Sequence, residues 1–157
     1  MKLRLVAIGT RMPAWVDTGF QDYAQRLPAR ELKLDLVELP LATRGSKNPD
    51  PERAKQAEGA QLLERTRDHH RIVLDERGSA WSSVELAARL KAWMQSGRDV
   101  ALMVGGPDGH AADVLAQADE RWSLSKLTLP HGLVRVLIAE QIYRAWSLTA
   151  NHPYHRA

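Results

Sequence analysis

The chain contains no cysteine among its 157 residues. Disulfides, thiolate metal sites, iron–sulfur clusters and cysteine nucleophiles are therefore excluded. Long apolar runs are missing as well, since no stretch approaches the roughly 18 residues that a membrane span requires. The opening segment is too charged for a secretory signal, because Lys2 and Arg4 interrupt its hydrophobic side chains. These absences predict a cytoplasmic protein.

A large excess of one charge is also lacking, because 22 basic residues face 19 acidic ones and the net charge is +3. The basic residues are nevertheless 16 Arg and only 6 Lys. The planar guanidinium group of Arg suits phosphates and base edges, which indicates a nucleic-acid partner. A GC-rich genome would produce the same bias without such a partner, so both explanations stay open.

The sequence does have the composition of an ordinary globular domain, with 44% hydrophobic and 26% charged residues. A chain of this length predicts a single domain, residues 1–157, with its own core. Alternating and helically spaced hydrophobic residues predict strands at residues 2–9, 33–39, 71–75, 99–104 and 122–129, and helices at 14–27, 51–68, 83–97, 111–119 and 132–148. This order predicts an α/β fold in which a largely parallel sheet is flanked by helices.

The last predicted helix is apolar on nearly every side between Leu133 and Trp146. A helix of this kind must be buried all round. Because a helix at the edge of a small domain normally keeps one face in water, we expect a second subunit to cover it. The sequence therefore predicts a homodimer.

Residues 105–109 form a glycine-rich loop directly after the fourth predicted strand. Its spacing is not G-x-G-x-x-G and no Lys-Ser or Lys-Thr pair follows, which argues against a Rossmann dinucleotide site and excludes a P-loop. The adjacent Gly105 and Gly106 permit either the close approach of a ligand to the backbone or a tight turn. The sequence leaves both possibilities open.

The end of the chain, residues 151–156, combines hydrogen-bonding, aromatic and cationic groups and offers no apolar face to bury. His152 and His155 have a spacing found in metal sites, but no matching carboxylate cluster accompanies them, so no metal site is predicted. Such a tail suits stacking on a base and pairing with a phosphate. The alternative is a solvated chain end.

Several motifs occur together and in one order. They are residues 2–10 (KLRLVAIGT), 104–109 (VGGPDG), 122–131 (WSLSKLTLPH), Arg135, 140–146 (EQIYRAW) and 151–156 (NHPYHR). With these motifs the whole chain resembles the ribosomal RNA large subunit methyltransferase H family of SPOUT-class enzymes. It departs from the family at Asp108, where Glu or Asn is expected.

The resemblance implies S-adenosylmethionine-dependent methylation of N3 of a pseudouridine in 23S ribosomal RNA, in the context of the assembled ribosome. It also implies a SPOUT-type α/β fold with a deep C-terminal trefoil knot, and a homodimer formed through that knot.

The resemblance further implies roles for single residues. The implied cofactor-binding residues are Leu74, Gly105, Gly106, Ser125, Lys126, Leu127, Thr128, Leu129 and Pro130. The reaction requires a base or an anion stabiliser, because the N3–H of pseudouridine is acidic only well above pH 7. The catalytic candidates are His131, His155 and Arg156. The candidates for contact with RNA are Arg144, Tyr154, His155 and Arg156.

Two other functions remain possible on the sequence alone. A non-catalytic RNA- or ribosome-binding module would use the basic segment 44–56 and the tail, and would ignore S-adenosylmethionine. A methyltransferase for transfer RNA would share the cofactor and the fold, so only its substrate would separate it from a ribosomal RNA enzyme.

Overall fold

The computed structural model of the protein describes residues 1–44, 47 and 49–156. Strands and helices alternate along the described chain. The strands are β1 (Lys2–Ile8), β2 (Lys33–Leu39), β3 (His70–Ser79), β4 (Val100–Val104) and β5 (Glu120–Trp122). The helices are α1 (Ala14–Ala24), α2 (Pro51–Arg65), α3 (Ser83–Ser96), α4 (Ala112–Gln117) and α5 (His131–Thr149). A short 3₁₀ helix, Pro153–Arg156, follows α5.

The five strands form one sheet in the order β2-β1-β4-β3-β5, and every strand pairing is parallel. The predicted alternation of strands and helices and the predicted parallel sheet are therefore confirmed. In a parallel sheet the carboxyl ends of all strands lie at the same edge, so the loops after β3 and β4 meet there.

The alternating side chains of β1 divide the core into two layers. Leu3 and Leu5 belong to a cluster that includes residues of α1, α3 and α5. Val6 and Ile8 belong to a second cluster with residues of α2 and α4. The sheet thus lies between three helices on one face and two on the other, as the period-two pattern requires.

Local capping residues determine where α2 and α3 begin and where α3 ends. The side chain of Asp50 accepts the N–H of Arg53 at 3.1 Å, and the hydroxyl of Ser82 accepts the N–H of Glu85 at 3.1 Å. Gly97 ends α3 with a φ of 71°, a left-handed conformation that glycine adopts without strain. These signals place α2 and α3 close to their predicted positions.

Helix α5 is covered largely by its own chain. It packs against α1 and α3, and each residue from 131 to 148 is buried or half-buried. The sequence predicts that a second subunit covers this helix, whereas α1 and α3 of the same chain provide most of the cover. The homodimer stays a prediction.

Two sequence predictions differ from the structure. The strand predicted at 122–129 is wrong, because only Trp122 in that segment pairs with β3 and residues 123–130 are irregular. The apolar side chains of Leu124, Leu127 and Leu129 line a cavity instead of joining a sheet. In the basic segment 44–56, residues 45, 46 and 48 lie outside the described part of the chain.

Candidate active site

A cavity of about 670 Å³ opens at the carboxyl ends of β3 and β4. It is lined by residues 74–77, by the glycine turn 105–109 with its neighbours 104 and 110, and by much of the segment 121–131. Cavities of this size hold nucleotide-sized or drug-sized ligands, and apolar walls with a few polar groups are typical of them. The arrangement therefore suits a cofactor with both an aromatic and a charged part.

Most of the cofactor-binding residues implied by the family resemblance meet at this cavity. Those that line it are Leu74, Gly105, Gly106, Ser125, Leu127, Thr128 and Leu129. Lys126 and Pro130 belong to the same segment but do not line the cavity. Segments far apart in the sequence are thus brought to one site by the parallel sheet.

The glycine turn is shaped by contacts within the protein. A Cβ on Gly105 would lie 3.0 Å from the backbone of Gly109, and a Cβ on Gly106 would lie 2.6 Å from Oε1 of Glu58. The N–H of Gly109 donates to the carbonyl of Gly106 at 3.0 Å, and Gly109 has a φ of 82°. These contacts support the tight-turn interpretation. Atoms of the protein itself leave no room for a side chain at Gly105 or Gly106, so both positions require glycine even without a ligand.

The segment 123–130 is held in place by its own serines and by β3. The N–H of Ser123 donates to the carbonyl of Ser79 at 2.9 Å, and the N–H of Leu127 donates to the hydroxyl of Ser125 at 2.9 Å. The side chain of Leu127 is 73% exposed at the edge of the cavity. An exposed leucine beside a cavity can cover the apolar surface of a ligand.

His131 begins α5 and lines the cavity. Burial lowers its pKa below the usual 6.5, and the nearby positive charge of Arg135 lowers it further, while Glu58 acts in the opposite direction. The imidazole is therefore neutral at pH 7 and able to accept a proton.

Arg135 fixes the first turns of α5 on the sheet. It is 1% exposed, its guanidinium forms an ion pair with Glu38 at 2.6 Å, and it donates to the carbonyl of Gly9 at 2.7 Å. Because Glu38 and Gly9 lie at the carboxyl ends of β2 and β1, this buried cation sets the position of His131 relative to the sheet. The sequence motif contained Arg135 but gave no signal of this role.

The cavity also contains a histidine that the sequence reasoning did not select. The Nε2 atom of His110 lies 3.1 Å from the carbonyl oxygen of Met103, and burial lowers the pKa of this imidazole. Charged side chains line the cavity as well: Lys55, Asp75, Glu76, Arg77, Asp108 and Arg121. Only proximity to the glycine turn could have pointed to His110 from the sequence.

The C-terminal tail is ordered against α5 and is not simply solvated. The ring of Tyr154 lies 4.6 Å from that of Tyr143, centroid to centroid, and its hydroxyl donates to Glu140 at 3.0 Å. Burial raises the pKa of Tyr154, and the hydrogen bond to Glu140 raises it further. The expectation that the tail has no packing role is therefore wrong.

The tail residues do not reach the cavity within one chain. Tyr154, His155 and Arg156 are absent from its lining, and so is Arg144, which pairs with Glu140 at 2.7 Å. Glu140 lies nine residues beyond His131, about 14 Å along α5 at 1.5 Å per residue. The structure thus separates His131 from the other two catalytic candidates, His155 and Arg156.

Two features are absent from the described residues. No described helix is long and apolar enough to cross a membrane. Over the same residues, no three His, Asp or Glu side chains come together in a way that could hold a metal ion.

Comparison with known proteins identifies the family. The sequence profile described as "Predicted SPOUT methyltransferase" matches residues 1–155. The chain belongs to the SPOUT methyltransferase family. The resemblance stated from the sequence motifs is thereby confirmed.

Two curated relatives match this SPOUT methyltransferase over their full length. The chain is 54% identical over 157 residues to the ribosomal RNA large subunit methyltransferase H of Alkalilimnicola ehrlichii, covering 100% of both chains. It is 55% identical to the protein of the same name from Pseudomonas putida strain F1, covering 99% of this chain and 100% of the relative.

Solved structures confirm the fold. A methylase family protein from Neisseria gonorrhoeae has a TM-score of 0.52 at 15% identity and covers 90% of this chain and 81% of its own. The tRNA (m1G37) methyltransferase from Aquifex aeolicus has a TM-score of 0.52 at 12% identity and covers 92% of this chain and 70% of its own. At these identities the likeness concerns the architecture alone.

Proposed function

We propose that this SPOUT methyltransferase transfers a methyl group from S-adenosylmethionine to ribosomal RNA of the large subunit, at N3 of a pseudouridine in 23S RNA on the assembled ribosome. The observation that carries the proposal is full-length identity above 50% to two proteins named ribosomal RNA large subunit methyltransferase H. The cavity at the ends of β3 and β4 is the proposed site of transfer. Because ribosomes are the proposed substrate, we include a cytoplasmic location in the proposal.

The residues of the cavity fit the cofactor. Leu74, Leu127 and Leu129 provide apolar surface for the adenine and the methionine chain, and the backbone of the glycine turn provides polar edges. Lys126 and Pro130 would shape the binding segment from outside the cavity. Bound S-adenosylmethionine supplies an electrophilic methyl group. Orientation of the reacting atoms and exclusion of water then supply much of the acceleration.

Removal of the N3 proton falls to a neutral base, and His131 is the candidate that lies in the cavity. Its lowered pKa keeps the imidazole unprotonated at pH 7, the state in which it accepts a proton. Arg135 holds α5 and thereby keeps the imidazole in place.

The proposal assigns Tyr154, His155 and Arg156 to the RNA substrate, with Arg144 as a phosphate contact and His155 or Arg156 as further catalytic candidates. Since these residues do not line the cavity of their own chain, we propose that a second chain brings them there. We therefore include a homodimer in the proposal. An exposed Trp15 beside Gly132, at the start of α5, supports an apolar contact surface there.

A C-terminal trefoil knot also belongs to the proposal. Trp122 pairs with both Leu74 and Ser79, and a Cβ on Gly78 would lie 2.7 Å from the carbonyl carbon of Arg121. The chain after β3 and the chain around β5 therefore pass each other at backbone distance, which supports a threaded connection.

Calorimetry with S-adenosylmethionine and methylation assays with a radiolabelled methyl group test the proposal. The substrates are intact ribosomes, free 23S RNA and transfer RNA. We expect cofactor binding, and label only in 23S RNA from intact ribosomes. Label in transfer RNA alone would assign a different substrate, and absence of cofactor binding would favour a non-catalytic RNA-binding module.

A further inference from the structure

An almost fully buried carboxylate lies behind the glycine turn. Glu58, on α2, is 2% exposed. Its Oε2 accepts the N–H of Ala42 at 3.0 Å and a guanidinium N–H of Arg44 at 2.5 Å, and its Oε1 accepts a second N–H of Arg44 at 3.2 Å. A buried carboxylate is stable only when its charge and lone pairs are satisfied, and here Ala42 and Arg44 satisfy them.

Arg44 extends this contact to the glycine turn. Its Nε donates to Asp108 at 3.1 Å, and a terminal nitrogen lies 3.0 Å from the same carboxylate oxygen. A further N–H of Arg44 donates to the carbonyl of Ala42 at 2.8 Å. Hydrogen bonding to Glu58 raises the pKa of Arg44, so the cation is permanent. The fork of the guanidinium thus joins two carboxylates from separate segments.

The same network touches the turn at a second point. Oε1 of Glu58 lies where a Cβ of Gly106 would be, at 2.6 Å. The turn 105–109 is therefore held from behind by Glu58 and at its tip by Asp108. Neither Arg44 nor Glu58 lines the cavity, whereas Gly105, Gly106 and Asp108 do.

We infer that Arg44 and Glu58 are positioning residues that set the shape of the glycine turn and, through it, the affinity for the cofactor. The inference rests on the proposed use of S-adenosylmethionine. Groups of a binding site must be held within a fraction of an ångström, and supporting contacts of this kind provide that precision. Loss of the network lets the turn move away from its binding shape without removing any atom that contacts the ligand.

The test compares single replacements by calorimetry with S-adenosylmethionine. Arg44→Ala should weaken binding by about tenfold, and Arg44→Lys nearly as much, because an ammonium group cannot bridge both carboxylates. Asp108→Ala should weaken it about threefold, and the double variant no more than Arg44→Ala alone, because both changes break one contact. Arg67→Ala is the matched control, since it removes an exposed ion pair with Glu64 far from the cavity.

Steady-state kinetics separate positioning from a purely structural role. In Arg44→Ala the KM for the cofactor should rise about tenfold while kcat at saturation stays within about twofold, because neither Arg44 nor Glu58 lines the cavity. Urea unfolding of each variant without cofactor records its stability independently. If Arg44→Ala is unfolded, Arg44→Lys and Asp108→Ala carry the test.

Unchanged cofactor affinity in folded Arg44→Ala and Arg44→Lys, whatever their stability, would overturn the inference. An Arg67→Ala variant as impaired as Arg44→Ala would also overturn it, since the effect would then lie in overall charge. Failure of the wild-type protein to bind S-adenosylmethionine is a different result, which would refute the proposed function.

Discussion

The carboxylate of Glu58 explains why residue 106 is glycine, because Oε1 of Glu58 lies 2.6 Å from the position that a Cβ of Gly106 would take. Gly106→Ala should therefore destabilise the protein by about 1–3 kcal/mol, the usual cost of overpacking. In a Glu58→Ala background the same change should cost less than about 0.5 kcal/mol, because the space is free. Urea unfolding of the four proteins measures both costs, with Glu58→Asp as the background if Glu58→Ala does not fold.

Gly105→Ala provides the contrast for this cycle. Its Cβ would meet the backbone of Gly109 at 3.0 Å, and Glu58 is not among the nearest atoms. Its cost should be the same in both backgrounds. Equal costs of Gly106→Ala in the two backgrounds would show that Glu58 does not determine the glycine.

The proposed role of His131 as the base predicts a pH dependence of the reaction. Since burial lowers its pKa below 6.5, the imidazole stays neutral down to that lowered value. Methyl transfer should be constant near pH 7 and fall as the pH drops through the lowered pKa, where the base becomes protonated. His131→Asn should reduce kcat by about 100-fold and remove this acidic limb from the pH–rate profile.

His69→Asn is the control for the pH profile, because burial lowers the pKa of His69 as well. His69 precedes β3 and therefore lies at the amino edge of the sheet, away from the cavity. Its replacement should leave the acidic limb in place. A limb that persists in His131→Asn would exclude His131 as the proton acceptor.

Among the elements, the 3₁₀ helix Pro153–Arg156 combines a structural residue with an exposed one. Tyr154→Ala removes the ring contact with Tyr143 and the hydrogen bond to Glu140, and should cost about 1–3 kcal/mol of stability. Arg156→Ala changes an exposed side chain and should alter stability by less than about 0.5 kcal/mol. The rate at which the Arg156→Ala variant methylates ribosomes should still fall about tenfold, which corresponds to about 1.4 kcal/mol of lost transition-state stabilisation.

Thermal unfolding and ribosome methylation, measured on the same preparations, separate the two residues. Tyr154→Phe should keep most of the stability, because the ring contact remains. Full activity of Arg156→Ala would remove Arg156 from the substrate site.

The segment 123–130 illustrates how an element can be mistaken from the sequence. It is rich in leucine, yet it forms no strand: the N–H of Ser123 donates to the carbonyl of Ser79, and the hydroxyl of Ser125 accepts the N–H of Leu127 within the segment. Apolar residues in a short segment indicate only that part of the segment is covered. Whether one side is a sheet core or a ligand cavity depends on what packs there.

At the scale of the whole molecule, the separation of His131 from the tail predicts cooperation between two chains. A protein lacking residues 151–157 and a His131→Asn protein should each be nearly inactive. Co-refolded in equal amounts, they should recover about a quarter of wild-type activity, because half of the dimers are mixed and each mixed dimer has one complete site.

Light scattering provides the companion measurement. One chain has a mass of 17.6 kDa, and the measured mass should be about twice that value. A mass of one chain at micromolar concentration would contradict the homodimer. A dimer without recovered activity in the mixture would show that the tail does not serve the partner's cavity.

The sequence by itself determined the features that depend on neighbouring residues. Asp50, Ser82 and Gly97 are helix-capping residues whose partners lie within a few positions, and the period-two pattern of β1 assigns its side chains to two layers. The order of strands and helices followed from such local signals, and with it the parallel sheet. The implied cofactor segments came from motif resemblance, and most of their residues meet at one cavity.

Only the tertiary structure decided the contacts between distant segments. In the sequence Glu58 is an ordinary polar residue of a helix, and its role depends on α2 packing behind the glycine turn. Arg135 is likewise an ordinary helix cation in the sequence, and only the fold brings it to the carbonyl of Gly9. The same holds for Tyr154, whose packing requires α5 as a platform. In each case the partner is distant in sequence or belongs to another element. The burial of these side chains and their contacts therefore depend on the fold, and no local sequence pattern predicts them.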